Sequence, residues 1–457
     1  MRKLLLAVVA FLSTGLFAAA TSKTRPQSLA AQVDAYVQPL VAGKNFSGCI
    51  LMVRNGRPLV DRCYGMANYE LGARNTDATR FHIASVSKSF TAAAILLLEE
   101  RGKLKVEDKL SKFISDYPRG DEITIHQLLT HTSGIPNVNN FPAYDQKSMQ
   151  QLSLEQVIAL FKDKALDFAP GSKYAYSNSN YNLLAYIVEK VSGMRYGEFL
   201  QKNFFEPLGM RMSGDDQDPE QLIPERAAGY VPMGYDQLGN APYLDWTIKT
   251  GNGSLYSTTH DLLKWDQALY GTSVLKTETI NKIFQKQPTP FSYGWFVRER
   301  FGHRVEAING RSPGFTSSLE RFPEDHASVI ITANTYSGLT QGMAGDLAAI
   351  LFDQPFKPVL PSRPVATNAA MLPRYEGNYE FGKDFTFNPG LKVEVRLAGG
   401  HLTMNSSRGE NFLIPIGADT FVDRLYGGAV SFDKGADGIP VLHWNFGDDY
   451  IARRTGP

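Results

Sequence analysis

SVSKSFTAAAILLLEERG, residues 85–102, decides how this chain is read. Its Ala- and Leu-rich middle favours a helix, and Gly102 supplies the stop. Ser85 opens that apolar helix, which puts Lys88 one turn on and on the same face, within reach of the hydroxyl. The positive end of the helix and burial both lower the lysine pKa, toward a neutral amine that can take the serine proton. The same spacing recurs at Ser273 with Lys276 and at Ser431 with Lys434. Those pairs fall in loop-like and strand-like stretches, where the lysine would not come back to the serine. The helical context therefore carries the reading, against a plainer one in which Ser85 is a helix cap and Lys88 is solvated.

A second constellation lies in FAPGSKYAYSNSNYNLLAYIVEKVSG, residues 168–193. Among 21 tyrosines, Tyr176 alone is followed two positions later by Asn, here Asn178. A phenol and an amide side by side on a turn before a helix can relay a proton and bind a carbonyl. The alternative is a helix cap beside a core tyrosine.

Outward from these two stretches, Leu29, Val33, Tyr36, Val37 and Leu40 recur at helical spacing, so 28–41 reads as an amphipathic opening helix. A hairpin at 46–65 turns at Asn55-Gly56. A two-residue loop there pairs Cys49 with Arg62, whereas a three-residue loop with a bulge sets Cys49 opposite Cys63. Disulfide and buried thiols both remain open. Helical patterns fill 121–270, one of them opened by a Ser153/Gln156 capping box. Strand-like runs return at 293–333, before a helical pattern at 338–352. The order implies an α/β (α+β) fold: a mostly antiparallel sheet flanked by helices, with an all-helical lobe inserted between its halves. Pro355, Pro358, Pro361 and Pro364 mark a connector over 355–372, which closes a main domain of 21–354. Alternation and turn residues over 373–457 read as a small all-β module, expected to be separable, so that a chain ending near Val359 still folds and reacts.

Composition narrows the function. The 47 Lys and Arg against 46 Asp and Glu give no field to gather nucleic acid or an anionic membrane. Residues 1–20 have the basic start, apolar run and Ala18-Ala19-Ala20 end of a signal peptide, too short to span a membrane, so a secreted or periplasmic protein is expected. Two cysteines and eight histidines offer no metal site. His126 and His131 read as structural, no cofactor is expected, and Asn252 and Ser254 either line a cleft or make a turn.

Residues 46–350 resemble the class C β-lactamase and low-molecular-weight penicillin-binding-protein family of serine hydrolases. FHIASVSKSFTA is similar to its nucleophile motif, ITIHQLLTHTSGIP to the segment after the first helices, and YSN to its second motif. GNGSLYSTTHDLLKW is similar to the floor of its site, and NGRSPGFTSSL to its last motif on the strand edging the cleft. The tail resembles, more loosely, the β-barrel modules that follow this domain. The resemblance implies Ser85 as nucleophile, Lys88 as its base and Tyr176 as proton shuttle to the leaving group. It gives Asn178 the acyl dipole, and an oxyanion hole to the backbone N–H groups of Ser85 and Arg311. Asn309 and Gly310 fill the last motif, Gly310 keeping room for substrate. Ile308 stands where the family has Lys or His. The expected activity is hydrolysis of a small-molecule or peptide ester or amide, with neutral esters ahead of penicillins. The rivals are a true β-lactamase or peptidoglycan carboxypeptidase, and a binding protein that kept the fold.

Overall fold

The computed structural model describes residues 28–457 apart from 361–364, 366–368, 386–389, 407–408, 436–437, 446–448 and 457. Residues 1–20, read from sequence as a signal peptide, and the connector residues Pro361 and Pro364 lie outside the described residues.

Residues 48–54, GCILMVR, are apolar almost throughout because the strand they form is covered on both faces. This β1 (Gly48–Arg54) joins β2 (Arg57–Tyr64), β3 (Phe296–Arg300), β4 (His303–Ser312), β5 (Phe315–Phe322) and β6 (Ala327–Ala333) in one sheet of order β3-β4-β5-β6-β1-β2. Every pairing is antiparallel. On one face lie α1 (Leu29–Ala42), through Val33, Val37 and Leu40, and the last long helix of the main domain (Leu339–Leu351), through Leu347. The other face packs Leu51, Leu319 and Ile330 against α2 (Ser87–Glu100) and the inserted lobe, whose second long helix is α3 (Asn178–Ser192). The helix Leu339–Leu351 is α4 below. From Ser87 to Leu98 every residue of α2 is buried, Lys88 included. A helix this enclosed has no wet face, and that sets the chemistry of anything polar on it.

The lobe is not helical throughout, as the sequence reading had it. Short ribbons pair Met66–Asn68 with Ala73–Arg74 and Tyr230–Met233 with Gln237–Asn240, and Leu255–Ser257 lies between Phe81–His82 and Gly214–Asp215. Strands of two to four residues are too short to show a period-2 pattern. The Ser153/Gln156 capping box is present and opens Leu154–Ala159.

The hairpin combines both turn readings. Arg54 faces Arg57 across a two-residue Asn55-Gly56 turn, and a register shift between Met52 and Val53 then sets Cys49 opposite Cys63. The two are joined as a disulfide.

Eight strands between Gly377 and Gly456 close into an antiparallel barrel. It is not the detached module that the linker composition suggested. Arg424, in the turn after strand Thr420–Asp423, is 1% exposed. It donates to Asn45 Oδ1 and to the carbonyls of Gly43, Lys44, Met233, Gly234 and Gln237, at 2.8–3.3 Å. Beside it, Val422 belongs to the same core as α1 and α4, with Ile414 and Ile416 packed against that core. A proline-spaced connector reports chain stiffness, not whether the two ends share a core.

Candidate active site

Ser85 sits in the 3-10 turn Ala84–Val86 that leads into α2. The preceding Ala84 has φ 45°, a left-handed conformation that costs a non-glycine residue energy. It turns the chain sharply from Phe81–His82 into the helix.

Lys88 is fully buried, with Nζ 2.9 Å from Ser85 Oγ, 2.9 Å from Asn178 Oδ1 and 2.7 Å from the Asn252 carbonyl. The Asn178 amide is oriented by its own donor, since Nδ2 bonds Asn139 Oδ1 at 2.7 Å. Two of the three neighbours of the amine are therefore oxygens that can only accept. A neutral amine has two N–H donors for those oxygens, and its lone pair is left for the Ser85 hydroxyl. Burial drives the Lys88 pKa well below the usual lysine range, and the nearby Lys249 adds repulsion. Counting donors and desolvation point the same way, to a base aimed at the serine.

Tyr176 donates its phenol to Ser85 Oγ at 3.0 Å. Burial pushes its pKa up, so the phenol stays protonated. Its ring lies 4.4 Å from that of His131, which in turn packs against Tyr181 and Phe291. Burial first, and then the nearness of the Lys88 amine, hold the His131 pKa well below normal. The neutral ring accepts at Nδ1 from the Ser177 amide and is 3.2 Å from Asn180 Nδ2, fixing the turn that presents Tyr176. His131 thus supports the site without touching Ser85, and His126 bonds Tyr293. Among the described residues no cluster of His, Cys, Asp or Glu could hold a metal.

On β4, a Cβ added to Gly310 would lie 2.7 Å from Ser85 N and 2.4 Å from the Ile83 carbonyl. The strand therefore passes directly over the nucleophile's amide, and only glycine fits. Ile308, on the same strand face, is 1% exposed and packed in the lobe-side core. Asn309 and Arg311 alternate to the other face. The Arg311 guanidinium donates to the Leu425 carbonyl of the barrel and lies over Tyr336, while Arg304 is paired with Glu306. Neither fills the place of the missing third-motif cation. Ser254 turns away to Asp215, and Asn252 serves through its carbonyl while its side chain holds Asn182.

The structure thus brings Ser85, Lys88, Tyr176, Asn178 and Gly310 together and carries the side chains of Asn309 and Arg311 elsewhere. Sequence reasoning missed Asn139, which aims Asn178, and the Asn252 carbonyl. A repeat of Asn at 137 and 139 was visible, but no pattern marks a backbone oxygen.

The Beta-lactamase family model matches residues 33–352. Penicillin-binding protein 4* of Bacillus subtilis (strain 168) is 30% identical over 363 residues, 73% of this chain and 79% of that protein. The octameric penicillin-binding protein homologue from Pyrococcus abyssi superposes with a TM-score of 0.66 at 24% identity, over 92% of this chain and 99% of that one. The D-amino acid amidase from Ochrobactrum anthropi SV3 gives a TM-score of 0.63 at 20% identity, over 71% and 99%. The last two likenesses are of fold.

Proposed function

The chain belongs to the beta-lactamase family of serine hydrolases, and we propose that within it this protein is an exported esterase or amidase working through a Ser85 acyl-enzyme. The observation that carries this reading is the set of three contacts at Lys88, which leaves a lone pair facing the nucleophile. Lys88 takes the hydroxyl proton as Ser85 Oγ attacks the carbonyl carbon. Negative charge builds on the carbonyl oxygen beside the amides of Ser85 and Arg311. As the tetrahedral species collapses, the Tyr176 phenol protonates the departing oxygen or nitrogen and recovers a proton by way of Lys88. Water then attacks the acyl carbon, with the same pair moving its proton.

Leaving groups that bear a carboxylate are disfavoured. A penicillin carries its carboxylate on the nitrogen side of the scissile bond, and buried Ile308 offers it no charge-assisted contact, a loss of about 1.5–3 kcal/mol. That favours neutral leaving groups over the β-lactamase and carboxypeptidase readings, and the complete Ser-Lys-Tyr set argues against a mere binding protein. Export is supported by the composition of residues 1–20 and by the Cys49–Cys63 disulfide.

The test is labelling with a fluorophosphonate, followed by a panel of short-chain esters, D-amino-acid amides and cephalosporins. Labelling is expected to vanish in Ser85→Ala, and neutral esters are expected to exceed every cephalosporin in kcat/KM. Equal labelling of the mutant would end this reading.

A further inference from the structure

Lys249 is a lysine that the fold encloses and then leaves alone. It ends the 3-10 turn Trp246–Lys249 and is 6% exposed. Its ammonium has neither a hydrogen-bond acceptor nor a carboxylate partner among the described residues, keeps access to solvent, and lies 5.4 Å from the ring centroid of Tyr144. Tyr144 is itself 7% exposed, and its hydroxyl is buried without a hydrogen-bond partner among the described residues. An enclosed phenol and a solvent-touching ammonium thus stand side by side without a protein acceptor. A buried hydroxyl without a partner is costly, and a cation–π contact holds the ammonium close to the ring that carries it. The arrangement makes physical sense when an anion completes it.

Both donors are tied into the active site by short links. The Lys249 carbonyl accepts from the amides of Asn252 and Gly253 at 2.9 and 2.8 Å, and Asn252 is the residue whose carbonyl holds Lys88. Tyr144 lies on helix Pro142–Lys147, which follows directly on the turn Val138–Asn140, and from that turn Asn139 grips the Asn178 amide. The repulsion that Lys249 exerts on Lys88 places the two amines in one electrostatic neighbourhood. Asn178 is the residue assigned above to the acyl dipole, so the pair stands on the acyl side of the nucleophile.

We propose that Lys249 and Tyr144 form an anion-recognising subsite for the acyl half of the substrate, so that the preferred ester or amide carries a carboxylate on its acyl chain and a neutral leaving group. This rests on the serine hydrolase reading and names its substrate class. It also reconciles two features that otherwise conflict, the loss of the third-motif cation and the retention of a lysine near the base with no carboxylate partner among the described residues. The charge requirement has moved from one side of the scissile bond to the other.

The test compares mono-4-nitrophenyl adipate with methyl 4-nitrophenyl adipate, which match in length and leaving group and differ in the terminal charge. Wild-type protein is expected to favour the acid over its methyl ester roughly tenfold or more in kcat/KM, mostly through KM, as a charge-assisted contact would give. In Lys249→Met that ratio should collapse to about one, Lys249→Arg should keep most of it, and Tyr144→Phe should lose a part. Lys249 also influences Lys88, so each variant is compared by the ratio at one pH, in which a change at the base cancels. A wild-type ratio near one, or an unchanged ratio in Lys249→Met, overturns the subsite. Should Lys249→Met fail to label with a neutral fluorophosphonate, the arginine and phenylalanine variants decide the matter by the same ratio. Absence of Ser85-dependent labelling in the wild type would instead overturn the hydrolase reading beneath it.

Discussion

At Lys88 a proton on the amine removes the base, so turnover should fall as the solution is acidified through its depressed pKa. Burial is the first cause of that depression and Lys249 the second. No matching loss is expected on the alkaline side until the raised Tyr176 phenol ionises. A pH profile of kcat/KM on a neutral ester should therefore rise to a plateau, and a profile peaking in mild acid would contradict the assignment of the base. Lys88→Met should cost about 10²- to 10⁴-fold in acylation rate. Its melting temperature should fall modestly, because Asn178 Oδ1 and the Asn252 carbonyl lose their donor while the removed amine is one whose ionised form the interior disfavours. Gly310→Ala is predicted to be as damaging by a different route. Its Cβ would meet two backbone atoms, Ser85 N and the Ile83 carbonyl, which cannot swing aside as a side chain can. Overpacking of this kind costs about 1–3 kcal/mol, and labelling should be lost even where circular dichroism shows a folded chain. Ser85, Lys88, Tyr176 and Asn178 were legible in the sequence because helix geometry and a turn fix their spacing locally. The Asn252 carbonyl and the Lys249–Tyr144 pair were not, since they meet only through tertiary packing across more than a hundred residues of chain.

At the scale of elements, the short strand Gly214–Asp215 supports the segment that presents Asn252. Asp215 accepts from Ser254 Oγ at 2.5 Å, and burial raises its pKa from 3.8 to about 7. A carboxyl with a raised folded-state pKa binds more protons folded than unfolded. Its contribution to stability is fully present below about pH 4 and is lost as pH rises toward 7, levelling beyond. The span corresponds to at most about 4 kcal/mol. Asp215→Asn cannot titrate, so urea midpoints of mutant and wild type should diverge in the mutant's favour between pH 4 and 7 and run parallel above. A constant gap across that range would mean that Asp215 is ionised in the fold. The elements themselves were largely readable: α1, the Asn55-Gly56 hairpin, α2 and α4 all fall where periodicity and turn residues set them. What stayed open was register. The Met52/Val53 shift that brings Cys49 opposite Cys63 depends on how β1 also pairs with β6, a contact nearly three hundred residues distant that no local pattern encodes.

For the whole molecule, the question is whether barrel and hydrolase domain are one folding unit, and the docking turn answers it. Arg424 satisfies five carbonyls and one side-chain oxygen of the hydrolase domain while almost wholly buried, and burial lowers its pKa to about 10 without removing its charge near neutral pH. The flanking residues reach closer to the site. The Leu425 carbonyl accepts from Arg311 Nη2 and from the Gly338 amide, so the barrel steadies the end of β4 just past Gly310 and the start of α4. A chain ending at Val359 would leave those carbonyls without a donor and would open the core that Val422 helps to fill. Such a chain is predicted to be insoluble, or soluble but unlabelled. Arg424→Leu keeps the barrel and most of the apolar contact, which isolates the polar dock. Each buried acceptor stranded without a donor costs about 1–3 kcal/mol, so even partial rescue by water leaves a loss of at least about 3 kcal/mol. Its melting temperature should fall clearly, and labelling should weaken before global unfolding as β4 loosens over Ser85. If instead the truncated chain folds and reacts at the wild-type rate, the barrel is an independent passenger, and the contacts of Arg424 and Leu425 contribute nothing to the site they brace.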